Sequence, residues 1–183
     1  MNPLHSLENR IIGPLGDLLG GAVLTTLARL VFLATLATFF WTSAATKLGE
    51  GVMGIVSPST GAYAQILPVQ IEAVGYDASQ LGAISWLVVV AGMWAEFLLP
   101  LLIVIGLFTR SAALAMIGFI VVMSIVDVAG HGAGATTIGA WFDNVPDAKI
   151  LDQRALWILL LLIPLTKGAG PLSVDAFFLR RRF

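Results

Sequence analysis

The sequence predicts an all-α membrane protein, a bundle of four transmembrane helices with short interfacial helices in the outer loops. Of its 183 residues, 58% are hydrophobic and only 11% are charged, and the mean hydropathy is +0.93. Four apolar runs reach the length of about 20 residues needed to cross a bilayer. The few charged residues interrupt these runs, and charges at membrane depth normally turn toward the protein interior and pair.

The four runs lie near residues 22–48, 81–107, 111–129 and 154–171, within one membrane domain spanning residues 1–183. Residues 1–21 form an N-terminal arm, residues 22–175 the bundle, and residues 176–183 a basic tail. Only Phe108, Thr109 and Arg110 join the second and third runs, which predicts a tight helical hairpin. The other two connections are long and must lie on the same side of the membrane as each other.

Basic residues assign the orientation of the chain. The N-terminal arm, the hairpin and the C-terminal tail carry most of the arginines near span ends, namely Arg10, Arg110, Arg180, Arg181 and Arg182. The positive-inside rule therefore predicts that both termini are cytoplasmic in a bacterial-type inner (plasma) membrane. A cleavable signal peptide is the alternative for the first run, but that run is longer than a usual signal core and no basic residue directly precedes it.

The outer connections contain two candidate interfacial helices. Residues 63–74 carry regularly spaced apolar side chains, and Pro68 interrupts them, which predicts a short helix on the membrane surface. Residues 141–151 are a second candidate of the same kind.

Composition also excludes several classes of function. The chain has no cysteine, so it cannot hold a disulfide, an iron–sulfur cluster, a thiolate zinc site or a cysteine nucleophile. His5 and His131 lie at the ends of different segments, which argues against a haem held by two histidines. The basic residues form no stripe with exposed aromatics, so nucleic acid is not an expected partner. A redox cofactor would have to be diffusible or belong to a partner subunit.

The main candidate site is a contact between Arg29 and Glu96. Arg29 is about two turns from the inner end of the first run and Glu96 about three turns from the inner end of the second, so their depths overlap. One interpretation is a structural ion pair that fixes helix register. The other is a carboxylate whose proton affinity is set by a low dielectric and used by a quinone headgroup or a transported proton. We expect Lys47 to extend to the outer interface.

A second candidate site lies on the third run, where Met123, Asp127 and His131 follow at one-turn spacing. Such a row could bind a soft or borderline metal from the outer side. We do not favour this, because methionine commonly fills cores and His131 begins a glycine-rich exit from the helix. Asp127 is expected to pair with Lys47 or to cap a loop.

Together these features resemble the DoxX family of small four-span membrane proteins. The resemblance covers residues 27–175 and rests on the order and spacing of several short motifs: Arg29-Leu30, Lys47-Leu48, Glu96, GLFTR at 106–110 with Ala112-Ala113, and KGAGPLSVD at 167–175. Family members are associated with quinol oxidation, thiosulfate:quinone oxidoreduction, thiol stress, methylamine utilisation and copper-responsive operons. The resemblance therefore implies an accessory or quinone-linked redox subunit in the inner membrane.

On this interpretation Glu96 exchanges protons with a quinone or quinol headgroup and Arg29 stabilises its anionic form. Further candidate contacts are Phe39, Phe40, Phe97 and Lys167. The expected partners are the lipid bilayer and either other membrane subunits or further copies of the chain, since electrons must come from another subunit. The alternatives are a non-catalytic assembly subunit and a protein that handles metals or small solutes.

Overall fold

The computed structural model describes residues 12–16 and 19–180, and the secondary structure in these ranges is helical. The main helices in chain order are α1 (Leu24–Lys47), α2 (Thr60–Ile66), α3 (Pro68–Ala73), α4 (Ala83–Ile105), α5 (Thr109–Gly130), α6 (Ala135–Ile138), α7 (Leu151–Lys167) and α8 (Val174–Arg180). A π-helical turn, Leu19–Val23, precedes α1, and short 3-10 turns lie at Val52–Ile55 and Ala78–Gln80. One π-helical turn, Leu33–Ala37, lies inside α1, and another, Val126–Gly130, ends α5.

Three of the described helices, α1, α4 and α5, are long and apolar enough to cross a bilayer. The fourth long helix, α7, has 17 residues and is about 26 Å long. It starts three residues earlier than expected and ends at Lys167 rather than at residue 171, because Gly168 adopts φ 87° and breaks the helix. Four membrane spans therefore stay a prediction.

The four long helices pack as a ring. Helix α1 lies between α4 and α7, and α5 contacts the same two helices from the other side. The buried residues of α4 alternate spacings of four and three, which places them on one stripe facing the ring: Val89, Met93, Glu96, Pro100 and Ile103. Large apolar side chains fill the centre, among them Phe32, Phe40, Met116 and Leu161. This packing leaves Glu96 as the one acidic residue in the buried stripe of α4.

The tight hairpin between α4 and α5 is confirmed. Gly106 and Phe108 both adopt left-handed backbone conformations, with φ of 71° and 48°, and these reverse the chain within a few residues. The Asp175 carboxylate accepts hydrogen bonds from the backbone N–H groups of Phe108 and Thr109 at 2.9 and 3.0 Å. It thereby satisfies donors that the start of α5 would otherwise leave open.

The predicted break at Pro68 is also confirmed, since Pro68 is the first residue of α3 and Leu67 separates it from α2. Tyr63 and Ile71 pack with Val89 of α4 in a second small core. A location on the membrane surface stays a prediction.

The helix expected at 141–151 is wrong. Residues 141–150 form turns, because Phe142 and Asn144 take positive φ values that a helix does not accommodate. Pro146 follows within the same segment. A short helix, α6, precedes these turns instead.

Candidate functional site

Glu96 pairs with Lys47, so the predicted contact with Arg29 is wrong. The Nζ atom of Lys47 lies 2.8 and 3.1 Å from the two carboxylate oxygens of Glu96. Both side chains are almost fully buried, with 3% and 6% exposed. Lys47 therefore does not extend outward as expected, and it neutralises the acid inside the bundle.

The direction of helical side chains explains this pairing. Side chains on a helix lean toward its N-terminus. In α1 that direction runs from Lys47 back along the helix toward Ser43. The ammonium group reaches back one turn, where it also donates to Ser43 Oγ at 2.8 Å. The same lean carries the Arg29 guanidinium away from Glu96, toward the end of α4.

Arg29 instead bonds to four backbone carbonyls. Its guanidinium donates to the oxygens of Ile103 and Val104 at 2.8 and 2.6 Å, and to those of Ala169 and Leu172 at 2.6 and 2.8 Å. The first two belong to the last turn of α4, where carbonyls lack intrahelical partners. Arg29 thus joins the end of α4 to the segment after α7, about two turns away from Glu96 along α4.

A second ion pair joins α7 to α5. Nη2 of Arg154 forms a salt bridge with Asp127, and Nη1 donates to Ser124 Oγ at 2.9 Å. The expected pairing of Asp127 with Lys47 is therefore wrong, because Glu96 already holds Lys47. Within the described residues the Nε atom of Arg154 is buried without a hydrogen-bond partner, and an unmet donor of this kind is costly.

Both ion pairs line one cavity of about 370 Å³ between α1, α4, α5 and α7. This volume falls in the range of small-molecule sites. Its apolar wall includes Phe39, Phe119 and Met123, and Gln65 and His131 line one side, with His131 Nε2 3.1 Å from the Gln65 carbonyl oxygen. We call this space, with Lys47, Glu96, Asp127 and Arg154 in its walls, the central cavity.

The aromatic residues expected around a quinone are spread over three places. Phe39 lines the central cavity. Phe40 is fully buried in the core, 5.1 Å from the Phe39 ring in an edge-on contact. Phe97 lines a different cavity with Trp41 and Trp94, and Lys167 lies at the hairpin end of the bundle.

Phe119 and Arg154 belong to the central cavity although sequence reasoning did not select them. Phe119 stands one turn before Met123 on the row that continues to Asp127 and His131, so extending the row by four residues identifies it. Arg154 entered the sequence analysis only as the start of the fourth run. The distance of 27 residues from Asp127 gives no local pattern that would connect the two.

The three weak candidates for metal ligation lie together along the central cavity. Met123, Asp127 and His131 all line it. The Asp127 carboxylate is bound by a guanidinium, whose positive charge opposes a cation there. The described ranges contain no group of three or more His, Asp or Glu side chains arranged to hold a metal ion.

A comparison with protein families matches the DoxX model to residues 24–131. The match covers more than half of the chain and includes α1 to α5, and therefore Lys47, Glu96 and Asp127. Arg154, α7 and the motif at 167–175 lie beyond the matched residues. Searches of curated proteins and of solved structures returned no match.

Proposed function

The chain belongs to the DoxX family of membrane proteins, and from this we propose that it is an accessory subunit of a quinone-linked redox complex. The complex would be respiratory or would oxidise sulfur or thiol compounds. The observation that carries the proposal is the central cavity, because two ion pairs, Lys47–Glu96 and Arg154–Asp127, line one enclosed and largely apolar space. The accessory role, the inner membrane and the cytoplasmic termini are parts of the proposal.

The walls of the central cavity suit a quinone headgroup. Phe39 and Phe119 offer apolar surface for a ring, and the Arg154 side chain adds a cationic group to the same wall. A quinone accepts two electrons and two protons to become a quinol. Glu96 holds and passes a proton in this scheme, and Lys47 keeps its carboxylate charge balanced between transfers. Arg29 has no role at the headgroup, because its donors are engaged by backbone carbonyls.

A lipid-soluble ligand also needs a place for its apolar chain. An apolar cavity of about 440 Å³ lies between α5 and α7 and shares Arg154 with the central cavity. Val121, Ile125 and Ile158 line it. A prenyl chain in this second cavity would place the headgroup at the Arg154–Asp127 pair.

Electrons must come from a partner subunit in this proposal. The sequence has no cysteine and two histidines, so iron–sulfur ligation by the chain is excluded. The partner would oxidise its substrate and pass two electrons to the quinone. This chain would position the headgroup and transfer protons to and from it through Glu96.

The test is Glu96→Gln, which keeps the shape of the side chain and removes its proton exchange. We expect quinone turnover of the natively purified complex to fall by about 100-fold or more, the range for loss of a general acid–base group. Quinone extracted from the complex should fall as well. Glu72→Gln is the matched control, because Glu72 is an exposed acid on α3 outside the central cavity.

The same experiment addresses the assembly-subunit hypothesis, which the four carbonyl bonds of Arg29 favour. If Glu96→Gln reduces the yield of complex while turnover per assembled complex stays at the parent level, the quinone role is refuted. The chain is then a structural subunit. Arg29→Gln should reduce assembly on either hypothesis, so it serves as the reference for a purely structural defect.

A further inference from the structure

A second polar cavity opens at the hairpin end of the bundle, away from the central cavity. It has a volume of about 890 Å³ and lies between the α4–α5 hairpin and the segment that follows α7. Arg110 and Ser111 line it from α5, and Lys167 and Gly168 line it from the end of α7. We call it the hairpin cavity. The proposed function makes no use of it.

The hairpin cavity is lined by two cationic residues, Arg110 and Lys167, and by one acid, Asp175. Arg110 and Lys167 form no salt bridge with any residue in the described part of the chain. The acid in this cavity, Asp175, has both oxygens engaged by the backbone of Phe108 and by the backbone and hydroxyl of Thr109. The two cations outnumber this acid, so the hairpin cavity keeps a net positive charge that suits an anion.

The two cationic residues are also close neighbours. A Cβ atom placed on Gly168 would lie 3.6 Å from Nε and 3.9 Å from Nη2 of Arg110. The guanidinium thus rests against the residue next to Lys167. Two cations on adjacent segments can contact one phosphate group together, and such charge-assisted hydrogen bonds are among the stronger ones in proteins.

Exposed apolar side chains surround the charged residues. Phe108 is 69% exposed, Phe178 56% and Leu172 74%, and the two phenylalanines line the hairpin cavity itself. Aromatic and basic residues at the ends of membrane helices are typical of the layer where lipid headgroups lie. A ligand that complements both the basic residues and the apolar side chains around them has an anionic head and apolar chains.

We propose that the hairpin cavity binds the phosphate headgroup of an anionic phospholipid. Arg110 and Lys167 hold the phosphate, and the Ser111 hydroxyl adds a donor. The acyl chains pass between Phe108 and Phe178 into the bilayer. Basic pockets between membrane helices bind anionic lipid headgroups by this chemistry.

The test measures lipid binding to the full chain by native mass spectrometry, with phosphatidylglycerol and phosphatidylcholine as probes. We expect phosphatidylglycerol to stay bound in preference to phosphatidylcholine. Arg110→Gln and Lys167→Gln should each weaken that binding by about fivefold. The matched control is Lys149→Gln, which removes an exposed cation from the loop between α6 and α7 and should leave binding unchanged.

Several outcomes would overturn the proposal. Equal loss in all three variants would show that only the total charge matters. Displacement of the lipid by millimolar inorganic phosphate would identify free phosphate as the ligand. Absence of any preference between the two lipids refutes the site directly. Arg110→Lys, which keeps the charge, checks that binding losses do not reflect misfolding, and unchanged quinone content in Arg110→Gln separates this site from the central cavity.

Discussion

Lys47 and Glu96 depend on each other because neither has access to water. A buried ion pair contributes little net stability, but removing one partner leaves an uncompensated charge. Only 2% of Lys47 and 5% of Glu96 is exposed, so the penalty for leaving either charge unpaired is large.

We therefore expect Lys47→Met to lower the free energy of unfolding by about 3–5 kcal/mol. The double variant Lys47→Met/Glu96→Met should recover most of this loss, because no unpaired charge remains. Unfolding in mixed detergent micelles, followed by tryptophan fluorescence, measures both. If the double variant is no more stable than Lys47→Met, the two side chains are not coupled.

At the scale of single residues, the sequence predicted the burial of Arg29 and Glu96 but not that of Lys47, and it did not predict their partners. Arg29 and Glu96 both lie inside the bundle, as their positions in apolar runs indicate. Depth counted along helix axes missed the pairing, because it ignores the lean of long side chains toward the helix N-terminus. Arg154 and Asp127 lie on different helices, and sequence periodicity says nothing about contacts between helices.

Among the helical elements, the α4–α5 hairpin depends most on one residue. Gly106 adopts φ 71°, and a Cβ atom there would lie 2.5 Å from Ser173 Cβ and 2.8 Å from Arg29 Cζ. Because Gly106 has no side chain, the Arg29 guanidinium can pass close to it and reach the carbonyls at the end of α4. A side chain at Gly106 would have two effects: it would strain the backbone at this positive φ, and it would displace the Arg29 guanidinium.

Gly106→Ala should accordingly destabilise the protein by more than about 1 kcal/mol. Gly118→Ala in α5 is the control, because its Cβ would meet no atom within 4 Å. The control should be neutral or stabilising by up to about 1 kcal/mol, since alanine favours helix. Thermal unfolding of the two variants in the same detergent compares them, and similar melting temperatures would contradict the steric argument.

Element boundaries followed from apolar length, which is why α1, α4 and α5 begin and end within two residues of their expected bounds. Where the length of an apolar run gave no information, the local backbone conformation determined whether a helix formed. Residues 141–150 have apolar side chains at helical spacing, yet they form turns with positive φ at two of them. The break at Pro68 could be predicted because proline has a fixed local effect.

At the scale of the whole molecule, the arrangement of the four long helices predicts which loops face each side of the membrane. If α7 crosses the bilayer together with α1, α4 and α5, Glu50 and Asn144 face one side and Ser111 and Leu172 the other. The chain has no cysteine, so single cysteines at these exposed positions can be introduced without a background.

We expect a membrane-impermeant maleimide to label Glu50→Cys and Asn144→Cys in intact cells. Ser111→Cys and Leu172→Cys should react only after permeabilisation. Labelling of Leu172→Cys together with Asn144→Cys in intact cells would show that α7 does not cross, and would reduce the number of spans to three.

The four carbonyl bonds of Arg29 also constrain how the protein is made. Its acceptors lie between 74 and 143 residues further along the chain. A ribosome therefore delivers the arginine long before it synthesises the atoms that satisfy it. Until residues 169–172 emerge, the unpaired guanidinium in the first helix must stay hydrated at the insertion machinery or at the membrane edge. Stable insertion of the first helix therefore depends on synthesis of the chain as far as Leu172.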